Sequence, residues 1–503
     1  MEPDGADAGH ESPPNTWLGA PRLTRLRRLV LLFLLAAGLR MIPVLAAPNL
    51  PIGLDDMYQY DMLGRSLAAG HGFRWYAPFD QALIKSQLKR VAGIDVSQMT
   101  PITDPRGVET SFRAPLYPAF LAIIYAVNGL SGRYFAVRLV QALLGGLLAP
   151  LTYALARRFG GSARTSLAAA GVVSVWPMLV ALPLALATEN LFIPLLAAGF
   201  LMLLRGASEG RSRDFALAGL AFGLAVLTRS VIVGFPLLAA VWVWRRGQRR
   251  GAILLVGLVF ALALPWSVRN SILHGKPTFV ETSLGYNLYL GYYPGNDGTF
   301  RFGPSLDLVT ITDDAARDQV GRERALAFIQ QDPGRIPKLM LAKLGHLWGL
   351  EDRAFIFFYS QGLLGTLPAW AVLSIYLVLI LPLIIVLPPA IIGLTLRWAS
   401  PAWWLAGLLL AWYVGIHVLI MAEERFHLAL VPILAALAAR GLTDIARRRR
   451  GSSVSGTAPR LALTLAGILI GLACLNWGLE LIHHSPELAV LLGPGGSSAH
   501  FNY

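Results

Sequence analysis

Residues 52–73, IGLDDMYQYDMLGRSLAAGHGF, follow directly on the first apolar segment of the chain. Two adjacent carboxylates, Asp55 and Asp56, stand a few residues past Pro48, where that segment ends. They open a helical pattern whose apolar side is Met57, Tyr58, Met62, Leu63 and Leu67, and Gly70 and Gly72 close it, as glycine does just past a helix end. A carboxylate pair beside a membrane surface, braced by an interfacial helix, is a candidate for chemistry. An Asp in that position also reads as a plain N-cap.

The chain around this stretch belongs in a bilayer. Of its 503 residues, 55% are hydrophobic and only 14% charged, against about 25% charged in soluble domains. The net charge of +14 would point to nucleic acid if it were concentrated on one face. Here the arginines fall in short runs between apolar segments, which excludes nucleic acid as the partner and points to membrane lipids. The single cysteine, Cys474, lies in an apolar run and rules out an intramolecular disulfide.

Apolar segments at roughly 29–47, 134–156, 165–183, 188–205, 214–228, 231–245, 251–268, 368–396, 402–421, 427–446 and 460–481 give an α-helical polytopic protein of about eleven transmembrane helices. Arg22, Arg25, Arg27 and Arg28 precede the first. Arg157, Arg158 and Arg164 follow the second; Arg205, Arg211 and Arg213 the fourth; Arg245, Arg246, Arg249 and Arg250 the sixth. Arg447 to Arg450 follow the tenth. All these exits fall on one side, so the expected arrangement is a multi-pass protein of the cytoplasmic (inner) membrane with its N-terminus in the cytoplasm. Residues 1–28 read as a disordered basic leader, and 29–268 as a catalytic module that includes a first outer loop, 48–133. Residues 269–367 form a second outer loop with helical patterns near 314–331 and 335–349; 368–481 are C-terminal spans, and 482–503 an outer tail. The apolar run 119–127 is too short to span and reads as interfacial.

Topology then collects on the outer side Asp55, Asp56, Arg113, Glu189, Arg229, Arg269 and Arg425, with Arg40 approaching from within the first span. Carboxylates beside arginines suit a hydroxyl nucleophile and a phosphate leaving group. An aspartate accepts the proton of the attacking hydroxyl, and guanidinium groups match phosphate oxygens and offset their charge. Plainer readings stand beside these. Glu189 can be an internally satisfied polar group, Arg40 can snorkel, Arg229 and Arg269 can mark span ends, and Arg425 can pair with Glu423 and Glu424. His71 and His427 have no partners at metal-ligand spacing and read as loop or interface histidines. No cofactor is expected; the paired aspartates leave a divalent metal as the open alternative.

The order of motifs resembles a known family. After the Asp pair come RAPLYP at 113–118, ARRFGG at 156–161, ATENLF at 187–192 and GLAVLTRS at 223–230. PWSVRN at 265–270, GYNLYLG at 285–291 and ERFHLALVP at 424–432 follow. From about residue 30 to 445 the chain is similar to the GT-C membrane glycosyltransferases, in the branch of protein O-mannosyltransferases, lipid A aminoarabinose transferases and bacterial family 39 relatives. The resemblance implies a GT-C-like fold and transfer of a sugar from a polyprenyl-phosphate donor, with inversion, to a lipid, glycan or protein acceptor outside the membrane. It places the catalytic base on Asp55 or Asp56, a recurrent acidic position on Glu189, and basic positions near the donor phosphate on Arg229 and Arg269. Arg113-Ala114-Pro115 departs from the Lys-Pro-Pro of the lipid A branch, and the protein mannosyltransferases' extra soluble domain is not evident, so the acceptor does not carry over. A lipid or glycan transporter or flippase, or a lipid-linked glycan polymerase or ligase, is the alternative. Transporters hold their ionisable residues near the midplane rather than in outer loops.

Overall fold

The computed structural model describes residues 22–53, 55–92, 95–97, 99–362, 364–397, 400–450 and 459–501. Most of the expected leader, 1–21, lies outside them. Residues 22–28 are already helical, the opening turns of a helix that runs over Arg22–Ala46.

Each of the apolar segments is helical. Among the described residues, eight helices are long and apolar enough to cross a membrane, or nine if one bent pair is a single span. The expectation of about eleven crossings therefore meets a length limit. Ser212–Thr228 and Gly234–Arg245 fall short of the roughly 20 residues that a 30 Å hydrocarbon layer requires. The bent pair is Ala163–Val175 with Pro177–Leu184, angled at 55°. Pro177 removes an N–H and pushes Trp176 into extended backbone (φ −59°, ψ 116°), so the helix must stop there.

The carbonyls freed by that break have no water to turn to. Arg40 supplies the donors: its guanidinium reaches Val173 O at 3.0 Å and Ser174 O at 3.4 Å, and Ala36 O on its own helix at 3.0 Å. At the centre of the bundle runs Val431–Arg449, almost wholly buried. It crosses Ala369–Leu396 at Gly441, where a Cβ would lie 2.0 Å from Pro389 O. Close backbone approach through small residues is how helices pack where the hydrophobic effect gives no drive.

The arginine-bearing connections meet at one end. Arg158 pairs with Glu209, Arg28 donates to Tyr153 Oη at 2.9 Å, Gln248 to Ala207 O at 3.2 Å, and Arg440 to Gly160 O at 2.8 Å. The two long loops meet at the other end. The first contains helices Asp56–Ala68, Pro78–Ala92 and Leu116–Asn128 and a two-stranded hairpin pairing Arg74–Trp75 with Val108–Glu109. The second contains Leu284–Tyr292, Asp314–Gln331, Ile336–Leu347 and Arg353–Ser360, so both expected helical patterns are present. The loops interlock: Thr282 N donates to Ser111 O and Ser111 N to Asp314 Oδ2, each at 2.9 Å, and Arg317 lies over the Phe112 ring at 4.4 Å.

With Cys474 replaced, cysteines at the exposed positions Ser131 and Lys276 should react with an impermeant thiol reagent added outside intact cells, and cysteine at exposed Ser208 should not. Equal labelling of Ser208→Cys and Ser131→Cys would show the arginine-rich end to be on the wrong side.

Candidate active site

The first loop's helix sets the geometry. Asp55 is its N-cap, accepting the Met57 N–H at 2.8 Å, so the capping role is real. Asp56, one residue on, forms an ion pair with Arg113, whose Nε also donates to Gln59 at 2.9 Å. The Arg113 guanidinium lies against Phe112 and Tyr60, 5.0 and 5.3 Å from their ring centres. Burial alone would lower its pKa, but the Asp56 charge reverses this and holds it above the usual value. Asp55 is exposed to solvent, yet protein is crowded around it. That desolvation raises its pKa, helped by Asp56 and opposed by the Met57 N–H and Arg425.

The helix is pinned from behind. Asp61, fully buried, accepts from Arg65 Nε at 2.8 Å, Arg133 Nε at 2.8 Å and Nη2 at 3.1 Å, and Tyr125 Oη at 3.0 Å. A methyl group on Gly64 would meet Leu121 Cβ at 2.9 Å, so this helix and Leu116–Asn128 pack at backbone distance.

The second half of the site comes from span ends. Glu189 opens the helix Glu189–Glu209 and accepts Arg229 Nη1 at 2.5 Å; Arg229 also reaches Thr188 Oγ1 at 3.3 Å. Arg229 is the extended residue (φ −148°, ψ 110°) closing helix Ser212–Thr228, and its guanidinium stacks over Phe426 at 5.1 Å. Arg425 acts electrostatically on both Asp55 and Glu189. Tyr60, its pKa raised to about 12 by burial, is within range of Arg113, Asp56, Glu189 and Arg229. Asp55, Asp56, Arg113, Glu189, Arg229 and Arg425 therefore form one cluster.

Two expected members stand apart. Arg40 is committed to the backbone carbonyls of the broken helix, although it shares with Glu189 and Asn190 the lining of a small cavity. Arg269 donates to Thr110 O at 2.6 Å and lies 4.9 Å from the Trp266 ring; its charged neighbours are Glu109, Asp314 and Arg74, on the hairpin side. His427 is neither loop nor interface. It is fully buried between Leu347 O at 3.0 Å and Glu351 Oε1 at 2.8 Å, a partner remote in sequence. Glu281 joins the cluster without a motif to announce it: it accepts from Ser230 Oγ and backbone N, beside Arg229, and acts on Arg113. Nothing local marks Glu281, a lone carboxylate between Val280 and Thr282. Tyr286, which faces Asp56 and Arg113, did carry a signal, since it lies in GYNLYLG.

Residues 112–268 match the family model described as dolichyl-phosphate-mannose-protein mannosyltransferase. The chain resembles the GT-C glycosyltransferases. The matched segment holds Arg113, Glu189 and Arg229, while Asp55, Asp56 and Arg425 lie outside it. Among solved structures, the apo oligosaccharyltransferase of Archaeoglobus fulgidus is 14% identical with a TM-score of 0.49, covering 97% of this chain and 57% of that one. This chain thus spans little more than half the length of that enzyme. ArnT from Cupriavidus metallidurans bound to undecaprenyl phosphate is 15% identical with a TM-score of 0.35, covering 86% of this chain and 79% of the other. No curated protein matches the chain.

Asp61→Asn leaves Arg133 without a carboxylate and Arg65 with Asp80 alone, and should destabilise the detergent-solubilised protein by about 3–5 kcal/mol, read as a lowered unfolding midpoint. His71→Ala, at an exposed loop position, should leave the midpoint unchanged.

Proposed function

We propose that this protein is a membrane glycosyltransferase that moves a sugar from a polyprenyl-phosphate donor to a hydroxyl-bearing lipid, glycan or protein acceptor on the outer side of the cytoplasmic membrane, with inversion. The observation that carries the reading is the meeting of Asp55, Asp56 and Glu189 with Arg113, Arg229 and Arg425 at the end of the bundle opposite the arginine-rich connections.

Of the two aspartates, Asp55 suits the base. Asp56 is tied to Arg113, whereas Asp55 is solvent-accessible and its pKa is raised toward the proton affinity that a general base needs. In the reaction the acceptor oxygen attacks the anomeric carbon while Asp55 takes its proton. The anomeric C–O bond breaks on the opposite face, and the polyprenyl phosphate leaves with the electron pair. Arg229 and Arg425 meet the phosphate charge, with Arg113 holding Asp56. Glu189 holds the Arg229 guanidinium in place rather than taking a proton. With arginine supplying the positive charge, the reaction calls for no divalent ion at these carboxylates. Arg40 contributes by keeping the broken helix beside Glu189 in shape, and Arg269 by joining the two outer loops.

The donor follows from location. A polyprenyl phosphate brings its phosphate to the interface and its tail between spans. A nucleotide-sugar would have to be available outside, where cells do not normally supply it, and the chain shows no Gly-rich nucleotide-binding unit. Reconstituted protein should use a polyprenyl-phosphate sugar and ignore the corresponding nucleotide-sugar; transfer from the nucleotide-sugar without lipid carrier would sink the donor assignment. Asp55→Asn should lower turnover by about 10²-fold or more with folding intact, and Arg229→Gln should weaken donor use more than acceptor use. Undiminished turnover in Asp55→Asn would return that residue to capping alone.

The base works only when deprotonated, so kcat/KM should fall as pH drops through the Asp55 pKa, at a midpoint above the ordinary aspartate value of 3.8. Asp56→Asn removes the neighbouring negative charge that raises this pKa. Its acid limb should therefore move to lower pH, and an upward movement would exclude Asp55 as the titrating group.

A further inference from the structure

Beyond the arginine-bearing cluster lies a second constellation that the proposed reaction does not use. Asp352, Glu480 and His484 each bring a ligand atom to within 4.8 Å of the others. Glu480 and His484 are four residues apart on the C-terminal helix, Pro459–Leu492, and so share a face. Asp352 is the N-cap residue of Arg353–Ser360 and is fully buried. Its Oδ2 accepts from Tyr376 Oη at 2.8 Å and meets His484 Nδ1 at 3.1 Å, while its Oδ1 is buried with no hydrogen-bond partner. Both Glu480 oxygens face the Leu350 N–H, at 2.9 and 3.0 Å. Glu424 adds another carboxylate: a Cβ on Gly349 would touch Glu480 Oε1 at 2.8 Å and Glu424 Cγ at 3.2 Å.

An orphaned carboxylate oxygen inside protein is expensive, and three carboxylates around one imidazole repel one another where water cannot screen them. Arg353 lies near, donating to Phe300 O at 3.1 Å and Glu423 Oε2 at 3.5 Å, and offsets part of the Glu424 charge. A divalent cation held by both oxygens of Asp352 would answer the orphaned Oδ1 and the repulsion together. The ligand chemistry selects among cations. An imidazole with two carboxylates disfavours calcium and magnesium, which take all-oxygen shells, and favours zinc. The geometry agrees: tetrahedral zinc with bonds of about 2.1 Å sets its ligands about 3.4 Å apart, close to the 3.1 Å between His484 Nδ1 and Asp352 Oδ2. Glu480 completes the set by a change of rotamer, and Tyr376 orients the aspartate from behind.

We propose that Asp352, Glu480 and His484 form a three-ligand zinc site that fastens the C-terminal helix to the second outer loop. His484 binds through Nδ1 as neutral imidazole, and the fourth position is open to water or Glu424. The site is independent of the proposed sugar transfer, and neither it nor its test depends on that reading.

The full chain, purified in detergent, is stripped with a chelator, incubated with zinc, passed over a desalting column and assayed by elemental mass spectrometry. Wild type should retain about one ion per chain, and zinc should raise its unfolding midpoint. His484→Gln and Glu480→Gln, at half-buried positions that tolerate substitution better than Asp352, should lose the ion and the stabilisation while remaining folded. Tyr376→Phe should weaken zinc by about 10–100-fold, and His71→Ala should bind as wild type. Cobalt in place of zinc should give visible absorption that disappears in His484→Gln. Wild type that retains no zinc, or a folded His484→Gln variant that retains as much as wild type, would overturn the site and leave a carboxylate–imidazole hydrogen bond in its place.

Discussion

A buried carboxylate, Asp61, takes up the guanidinium groups of Arg65 and Arg133 and the Tyr125 hydroxyl, and much of the end of the bundle that carries the two long loops depends on it. It joins the first loop's helix to the start of the next membrane segment at Arg133 and to the short helix between them. Without that junction the Asp55–Asp56 turn would sit on a helix free to roll at the interface. A buried carboxylate is tolerated only when its lone pairs are filled, and here the donors come from three different elements. The same interaction that neutralises the charge therefore fixes the register of all three.

Within the cluster, the two signs are distributed unevenly. Asp56 and Glu189 each face a dedicated arginine, whereas Asp55 receives a backbone N–H and the more distant Arg425. The paired carboxylates hold arginines in place, and the remaining one has the raised proton affinity on which the proposed base role rests. Adjacent residues of the same type thus meet different surroundings, much as burial and neighbours separate two identical acids elsewhere in enzymology.

Much of this was readable in the chain. Apolar runs gave the helices because length and composition are local properties, and the amphipathic stretches at 314–331 and 335–349 gave helices in the second loop for the same reason. The arginine bias placed their ends together, and Asp55, Asp56, Arg113, Glu189, Arg229 and Arg425 did converge. What escaped was set by distant partners. Glu281 acquires meaning only through Ser230, and His427 only through Glu351. Arg269 lies at the end of the bundle where the two long loops meet, but beside Glu109 and Asp314 rather than in the cluster. Among the described residues eight or nine helices are long enough to cross, fewer than the apolar runs, because a run can be apolar and helical and still be short, as with Gly234–Arg245.

The partnership between Arg40 and the proline-broken helix reaches into how the chain is made. The carbonyls that satisfy this guanidinium lie 133 and 134 residues downstream. At a synthesis rate of about 5–20 residues per second, the first helix waits roughly 7–27 seconds before its acceptors emerge. Throughout that interval a lone arginine near the outer end of the helix must keep water or headgroups around it. The contacts that satisfy Arg40 thus form only after the segment around Pro177 has been made, so the first helix is completed by a part of the chain that follows it.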